Sequence, residues 1–144
     1  MDFVLRDPDF AKRVRESFEA QAFMRLIGAR LERVEPGAVD IGLEFRPDLT
    51  QQDGFLHAAV VAGIADSACG YAAYTLMPAD SRVLSVEFKM NLLRPAKGDR
   101  FRAEARVLRS GRTISVVRAD VLAFDDRAEQ GRIVATMLGT MIRQ

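Results

Sequence analysis

The sequence predicts an α+β domain in which about six antiparallel strands curl around one long apolar helix, with a further helix at the N-terminus. Three observations predict it. Ala58 to Met77 is too long for a strand and too rich in alanine and aliphatic residues for a loop, and its single charged residue is Asp66. Two segments of period two precede it and four follow, divided by short breakers. A helix apolar on nearly all sides must be surrounded, and six strands cover it only in part, so one face is left for another subunit.

In chain order, "RDPDFAKRVRESFEAQAFMRLI" offers Asp7 as N-cap and Pro8 at the first helical position, then places Phe10, Val14 and Phe18 four apart. That is an amphipathic helix. "GARLERVEPG" and "AVDIGLEFRP" alternate and meet at Pro36-Gly37, a strand, a turn and a strand. The long helix begins at Ala58 and stops at Pro78. "RVLSVEFKMNLLRP", "DRFRAEARVLRS", "RTISVVRADVLAF" and "GRIVATMLGTMIRQ" follow, separated by Pro95–Gly98, Ser110-Gly111 and Asp125–Gly131, and such short connections predict an antiparallel meander. In the first of these strands Leu84, Val86, Phe88 and Met90 alternate with Ser85, Glu87, Lys89 and Asn91, which puts Ser85 on the polar, exposed side.

At 144 residues the chain has the length of one domain, spanning 1–144, and its 49% hydrophobic and 28% charged residues are those of a soluble protein. It has neither a signal-peptide pattern nor an 18-residue uncharged apolar run, so a cytoplasmic location away from membranes is expected. The lone Cys69 forms no internal disulfide, and it makes no metal-ligand spacing with the lone histidine, His57; neither metal nor cofactor is expected. A net charge of +1 argues against nucleic acid. The charge is uneven, however: between Arg94 and Arg112 seven basic residues face only Asp99 and Glu104. Arg102 and Arg106 read as a solvated strand face there.

The sharpest chemistry lies in "QQDGFLHAAVVAGIADSACGYAAY". A helix starting at Ala58 leaves the N–H groups of Ala58 and Ala59 unpaired at its positive end, next to the turn at Gly54, with Gln51 and His57 bracketing the same loop. Such donors polarise a carbonyl. Asp66 stands eight residues further on, about 12 Å along the axis, and cannot reach a carbonyl held at its own helix's start. If both act on one substrate, the carboxylate comes from a second, antiparallel copy. A bland alternative pairs Asp66 with a buried arginine. No Ser-His-Asp or Cys-His system is apparent nearby.

The stretch "QQDGFLHAAVVAGIADSA" resembles the hotdog-fold acyl-CoA thioesterases of the PaaI-like group, whose motif is a Gln or Asn, a Gly, "HGG", and an acidic residue nine after the His. "FMRLIGARLERVEPGAVDIGL", "VLSVEFKMNLLRPAKGDRFRAEARVLRSGRTISVVRADV" and "GRIVATMLGTM" extend the likeness over roughly residues 20 to 142. The resemblance implies a homodimer or dimer of dimers that hydrolyses an aromatic or medium-chain acyl-CoA at composite sites, without a cofactor. Asp66 is implied as nucleophile or general base, Gln51 as the amide at the thioester or water, and the Ala58 N–H as the group polarising the carbonyl. His57 is implied to shape the loop and Ser85 to orient the water, while Arg94, Pro95, Lys97, Arg109, Ser110, Gly111 and Arg112 are implied to contact CoA. Gln51 is typical of the 4-hydroxybenzoyl-CoA branch, whereas Asp66 is typical of the phenylacetyl-CoA branch. The family's "HGG" is "HAA" here, and this change motivates an alternative: a non-catalytic acyl-CoA or lipid-binding protein of the same fold. A dehydratase is a third reading, disfavoured by the local pattern around His57.

Overall fold

The computed structural model describes residues 3–144. Its elements are α1 (Phe10–Ala20), α2 (Ala22–Ile27), β1 (Arg30–Glu35), β2 (Ala38–Glu44), α3 (Ala58–Tyr74), β3 (Val83–Leu92), β4 (Arg100–Ser110), β5 (Ile114–Phe124) and β6 (Arg132–Arg143). The strands form one antiparallel sheet in the order β1-β2-β4-β5-β6-β3, and α3 lies along its inner face. This is the hotdog architecture that the resemblance implied.

Small residues let the helix come close to the sheet. Ala103 and Ala105 of β4, Ala119 and Ala123 of β5 and Ala135 of β6 are fully buried, as are Ala65, Ala68 and Ala72 of α3, with Phe101, Ile64, Met137 and Met141 filling the remaining space. The outer face carries the other parity: Arg102 pairs with Glu104 at 2.6 Å and Arg106 with Asp40 at 2.6 Å, so both arginines belong to a charged strand face. The turn at Pro36-Gly37 requires the left-handed φ of +73° at Gly37, a conformation that glycine alone adopts without steric cost.

Three expectations change. Asp7 is not the N-cap: α1 starts at Phe10, with Asp9 in the cap position and Asp7 accepting from the Asp9 N–H at 2.9 Å. The Asp7 carboxylate is buried and taken up instead by Arg13, 2.8 Å away. The N-terminal helix is also divided, because Gln21 takes an extended conformation (ψ 104°) between α1 and α2.

The third change is topological. β3, β4, β5 and β6 are not one meander: β3 pairs with β6, and β4 leaves β3 to pair with β2. The seven residues between Leu92 and Arg100 do not make a hairpin. They run past the start of α3, where the Leu56 N–H donates to the Ala96 carbonyl at 3.0 Å, and deliver the chain to the other half of the sheet. β3 is thereby left at an edge with Leu84, Val86, Phe88 and Leu92 exposed. No helix is long and apolar enough to cross a membrane among the described residues.

Candidate active site

α3 starts at Ala58, where the sequence places it, because His57 is extended (φ −62°, ψ 138°) and caps the helix with its own ring. The His57 Nδ1 accepts from the Ala59 N–H at 2.9 Å, so the ring proton sits on Nε2. Only one of the two expected free donors therefore remains. The Ala59 N–H is occupied, the N–H groups of Val60 and Val61 bond to the His57 carbonyl, and the Ala58 N–H makes no hydrogen bond among the described residues. His57 thus acts as a cap that leaves a single N–H directed outward.

The loop before it is held by Gln51. Its Oε1 accepts from the N–H groups of Asp53 (2.6 Å) and Phe55 (3.3 Å), and its backbone closes the turn with bonds to Phe55 and Gly54. Gly54, at φ +82°, provides the reversal. The Gln51 Nε2 lies 3.3 Å from the Asp53 carboxylate and keeps a second proton for another acceptor. Gln51 and Ala58 line a cavity of about 450 Å³ with Phe55, Val61, Leu92, Arg94 and Pro95. Ala58, where the family has glycine, is half-buried and lines that cavity, whereas Ala59 is exposed.

An adjoining cavity of about 370 Å³ is bordered by Phe55, Arg94, Pro95, Lys97 and Arg132. Arg132 is absent from the sequence-based candidates, since it sits on β6, 35 residues beyond Lys97, and no local pattern ties it to the loop. Its guanidinium donates to the Lys97 carbonyl at 3.0 Å and to Asp125 at 2.6 Å, and this hydrogen bond holds the Asp125 carboxyl below its ordinary pKa.

Asp66 lies elsewhere. It is half-buried in a polar cavity of about 180 Å³ with Ser17, Gln21, Ser67, Gly70, Tyr71, Val83 and Ser85. It has no arginine partner among the described residues; Ser85 Oγ donates to Asp66 Oδ1 at 2.7 Å. Ser85 was expected on the polar, exposed side of its strand; it is exposed, but it lies on the face turned toward α3. A β-bulge between Ser85 and Glu87 inserts Val86 as an extra residue, so Ser85 is paired with Met141 and shares the inner face with Phe88 and Met90, while Glu87 opposite Thr140 faces outward. The pKa of Cys69, buried one turn further along α3, is pushed up to about 12, first by burial and then by the charge of Asp66, which keeps the thiol protonated near neutral pH.

The predicted site residues thus fall into three groups. Gln51, His57, Ala58, Arg94, Pro95 and Lys97 come together at the start of α3. Asp66 and Ser85 meet at its middle. Ser110, Gly111 and Arg112 border a small depression with Leu76, Met77 and Pro78, and exposed Arg109 precedes Ser110, the last residue of β4. That is past the far end of a 17-residue helix, about 25 Å from its start. One chain therefore does not bring its two predicted CoA-contacting turns together.

Known proteins supply the context for this geometry. Residues 53–130 match the thioesterase superfamily. A thioesterase family protein from Silicibacter pomeroyi has the same structure with a TM-score of 0.90 and 46% sequence identity, covering 93% of this chain and 97% of that one. The E. coli PaaI protein from the phenylacetic acid degradation operon has a TM-score of 0.84 at 18% identity, with 98% of this chain and 96% of that one covered. The medium/long-chain acyl-CoA thioesterase YigI of Escherichia coli is 27% identical over 114 residues, 69% of this chain and 74% of its own length. The match over more than half of the sequence, together with the fold and a free N–H at the start of the central helix, makes this chain a hotdog-fold hydrolase of the thioesterase superfamily.

Proposed function

We propose that the chain hydrolyses an acyl-CoA to the free acid and CoA at a site shared by two copies, with Asp66 as the reacting carboxylate. The observation that carries this reading is the division of labour along α3: a free Ala58 N–H in an apolar cavity at one end, and a carboxylate oriented by Ser85 eight residues, about 12 Å, further on. Neither half is complete. Two copies related by a two-fold axis, with their α3 helices antiparallel, would set the Ala58 of one against the Asp66 of the other, twice over. The unpaired β3 edge, with Val86, Phe88 and Leu92 exposed, supports that arrangement.

In such a site the Ala58 N–H, aided by Gln51 Nε2, donates to the thioester oxygen as negative charge develops on it. The Asp66 oxygen left free by Ser85 either takes a proton from water as the water attacks the carbonyl carbon, or attacks that carbon itself and is released by water in a second step. In both cases the C–S bond breaks, and the CoA thiolate leaves and is protonated. Arg94, Lys97 and Arg132 offer positive charge to the CoA phosphates at the cavity mouth; Arg109 and Arg112, far from it in one chain, would serve the partner's site.

The test is thiol release from a panel of aromatic, medium-chain and long-chain acyl-CoAs. Asp66→Asn should lower kcat by about 10³-fold or more while the melting temperature is retained. Undiminished turnover in that variant would remove Asp66 from the chemistry. Thioesters that stabilise the wild-type protein without releasing thiol would favour the non-catalytic binding role instead.

A further inference from the structure

The polar cavity around Asp66 has a wall that the hydrolytic chemistry does not use. Ser17 comes from α1, Gln21 from the break between α1 and α2, and Ser67 and Tyr71 from α3. Their hydrogen bonds can be counted. Ser67 Oγ spends its proton on Gln21 Oε1 at 3.2 Å, and Ser85 spends its proton on Asp66. Ser17 and Tyr71 share one bond of 3.3 Å, so one of their two hydroxyl protons is left over. Burial raises the Tyr71 pKa, more than the Ser17 hydrogen bond lowers it, which keeps the phenol a donor. The Gln21 Nε2 makes no hydrogen bond among the described residues, although Ser67 fixes the orientation of its amide. About three N–H or O–H protons on the residues lining this cavity thus lack a hydrogen-bond partner among the described residues, and the one free acceptor beside them is the second Asp66 oxygen, which the hydrolysis proposed above uses.

The opposite side of Asp66 differs. Gly63, one turn earlier on the same face of α3, lets the Phe23 ring come so close to the helix that a Cβ on Gly63 would lie 2.8 Å from it. Asp66 therefore stands between an apolar side, toward Ala58, and a donor-rich side, toward Tyr71.

We infer that the donor-rich cavity receives the acyl group, and that Gln21 is a specificity-determining residue that selects a compact acyl group carrying an oxygen function at its far end. This rests on the thioester hydrolysis proposed above. The size agrees, since a cavity of about 150 Å³ admits a benzene ring and this one measures about 180 Å³. The polarity agrees as well: an unsubstituted alkyl or phenyl group would leave the Gln21 Nε2 and a hydroxyl unpaired on desolvation, whereas a hydroxyl or keto oxygen accepts from both. Gln21 occupies the one position where α1 and α2 are interrupted, which turns its side chain inward against Ser67.

The experiment compares matched thioesters that differ by one oxygen, benzoyl-CoA with 4-hydroxybenzoyl-CoA and hexanoyl-CoA with 6-hydroxyhexanoyl-CoA. Both kcat/KM for hydrolysis and Kd by calorimetry are measured, in the wild type and in Gln21→Met, which keeps the side-chain length and removes the amide. The wild type should favour the oxygenated member of at least one pair by about tenfold or more, and Gln21→Met should bring that ratio close to one. Equal or inverted preference in the wild type would overturn the inference, as would a preference that persists in a folded Gln21→Met. If no thioester is hydrolysed, the proposed reaction fails, and the Kd ratios still decide whether the cavity selects for oxygen.

Discussion

Asp66 and Ser85, joined by a 2.7 Å hydrogen bond, meet only because β3 carries one residue more than its partner strand. Without the bulge at Val86, Ser85 would continue the parity of Glu87 and face outward. Ser85→Ala should therefore reduce kcat about tenfold, the usual effect of removing one hydrogen bond to a reacting carboxylate. Deleting Val86 should cost much less, because Ser85 then directly precedes Glu87 in a regular ladder and keeps its place opposite Met141. A folded deletion variant as impaired as Ser85→Ala would show that the bulge itself, and not only the parity of Ser85, is needed at the site.

The shared site predicts complementation. Ala58→Pro removes the free N–H at a helix position where proline is tolerated, and His57 already has the extended backbone that a following proline requires. Asp66→Asn and Ala58→Pro should each be inactive alone. Mixed, unfolded and refolded together in equal amounts, they should recover about a quarter of wild-type activity, because half of the dimers would be mixed and each would hold one intact site. A site confined to one chain would give no recovery.

Arg13 fixes the N-terminal helices to the rest of the molecule. Its guanidinium pairs with buried Asp7, donates to the carbonyls of Tyr74 at the end of α3 and of Met77 and Pro78 beyond it, and lies over the Tyr74 ring at 4.0 Å. Arg13→Met should destabilise the fold by about 3 kcal/mol or more, since it leaves a buried carboxylate unpaired. The double variant Asp7→Asn/Arg13→Met should lose less than the single one. Urea midpoints at constant m-value measure both.

Much of this was legible beforehand, and the failures have specific causes. The start of α3 followed from Gly54, His57 and the apolar run, and helix rise alone separated Ala58 from Asp66. The strands were found because burial on one face enforces alternation. What alternation does not encode is which strand pairs with which. β3 was assigned to β4 because it precedes it, whereas the Pro95 to Asp99 segment crosses to the other half of the sheet. A bulge is equally silent, since one inserted residue leaves the polar and apolar letters in place and changes only the side they face. Gln21 was hidden for a similar reason: a glutamine between two helical segments looks like any solvated residue until Ser67, 46 positions later, is brought beside it.

The cap formed by His57 is a separable contribution. His57→Ala should cost about 1 kcal/mol of stability, and His57→Asn, whose side-chain oxygen also accepts at a cap, should recover most of it. Chemical denaturation of the three proteins gives the comparison. Equal losses in Ala and Asn variants would assign the histidine a role beyond capping.

Cys69 and Tyr71 predict a fall of stability in alkali. Both acids are raised in the folded state, Cys69 to about 12 by burial and then by Asp66, so the unfolded chain gives up these protons first. The stabilisation is complete below pH 8 and declines as pH rises through the unfolded thiol value toward 12, at no more than about 1.4 kcal/mol per pH unit for each group. Cys69→Ala should flatten that decline. In the native protein at pH 8 the thiol should not react with a disulfide reagent until denaturant is added.

The interruption at Gln21 also bears on how such a protein can change. In the proposed site the carboxylate, its serine and the N–H at the helix start belong to α3 and the sheet, while Ser17, Gln21 and Phe23 belong to a leading segment that contributes no strand to the sheet. Under that proposal, selectivity would change by substitution near the front of the chain while the proposed reacting groups on α3 and β3 stay as they are. A lineage could in this way acquire new acyl preferences faster than it could acquire new chemistry.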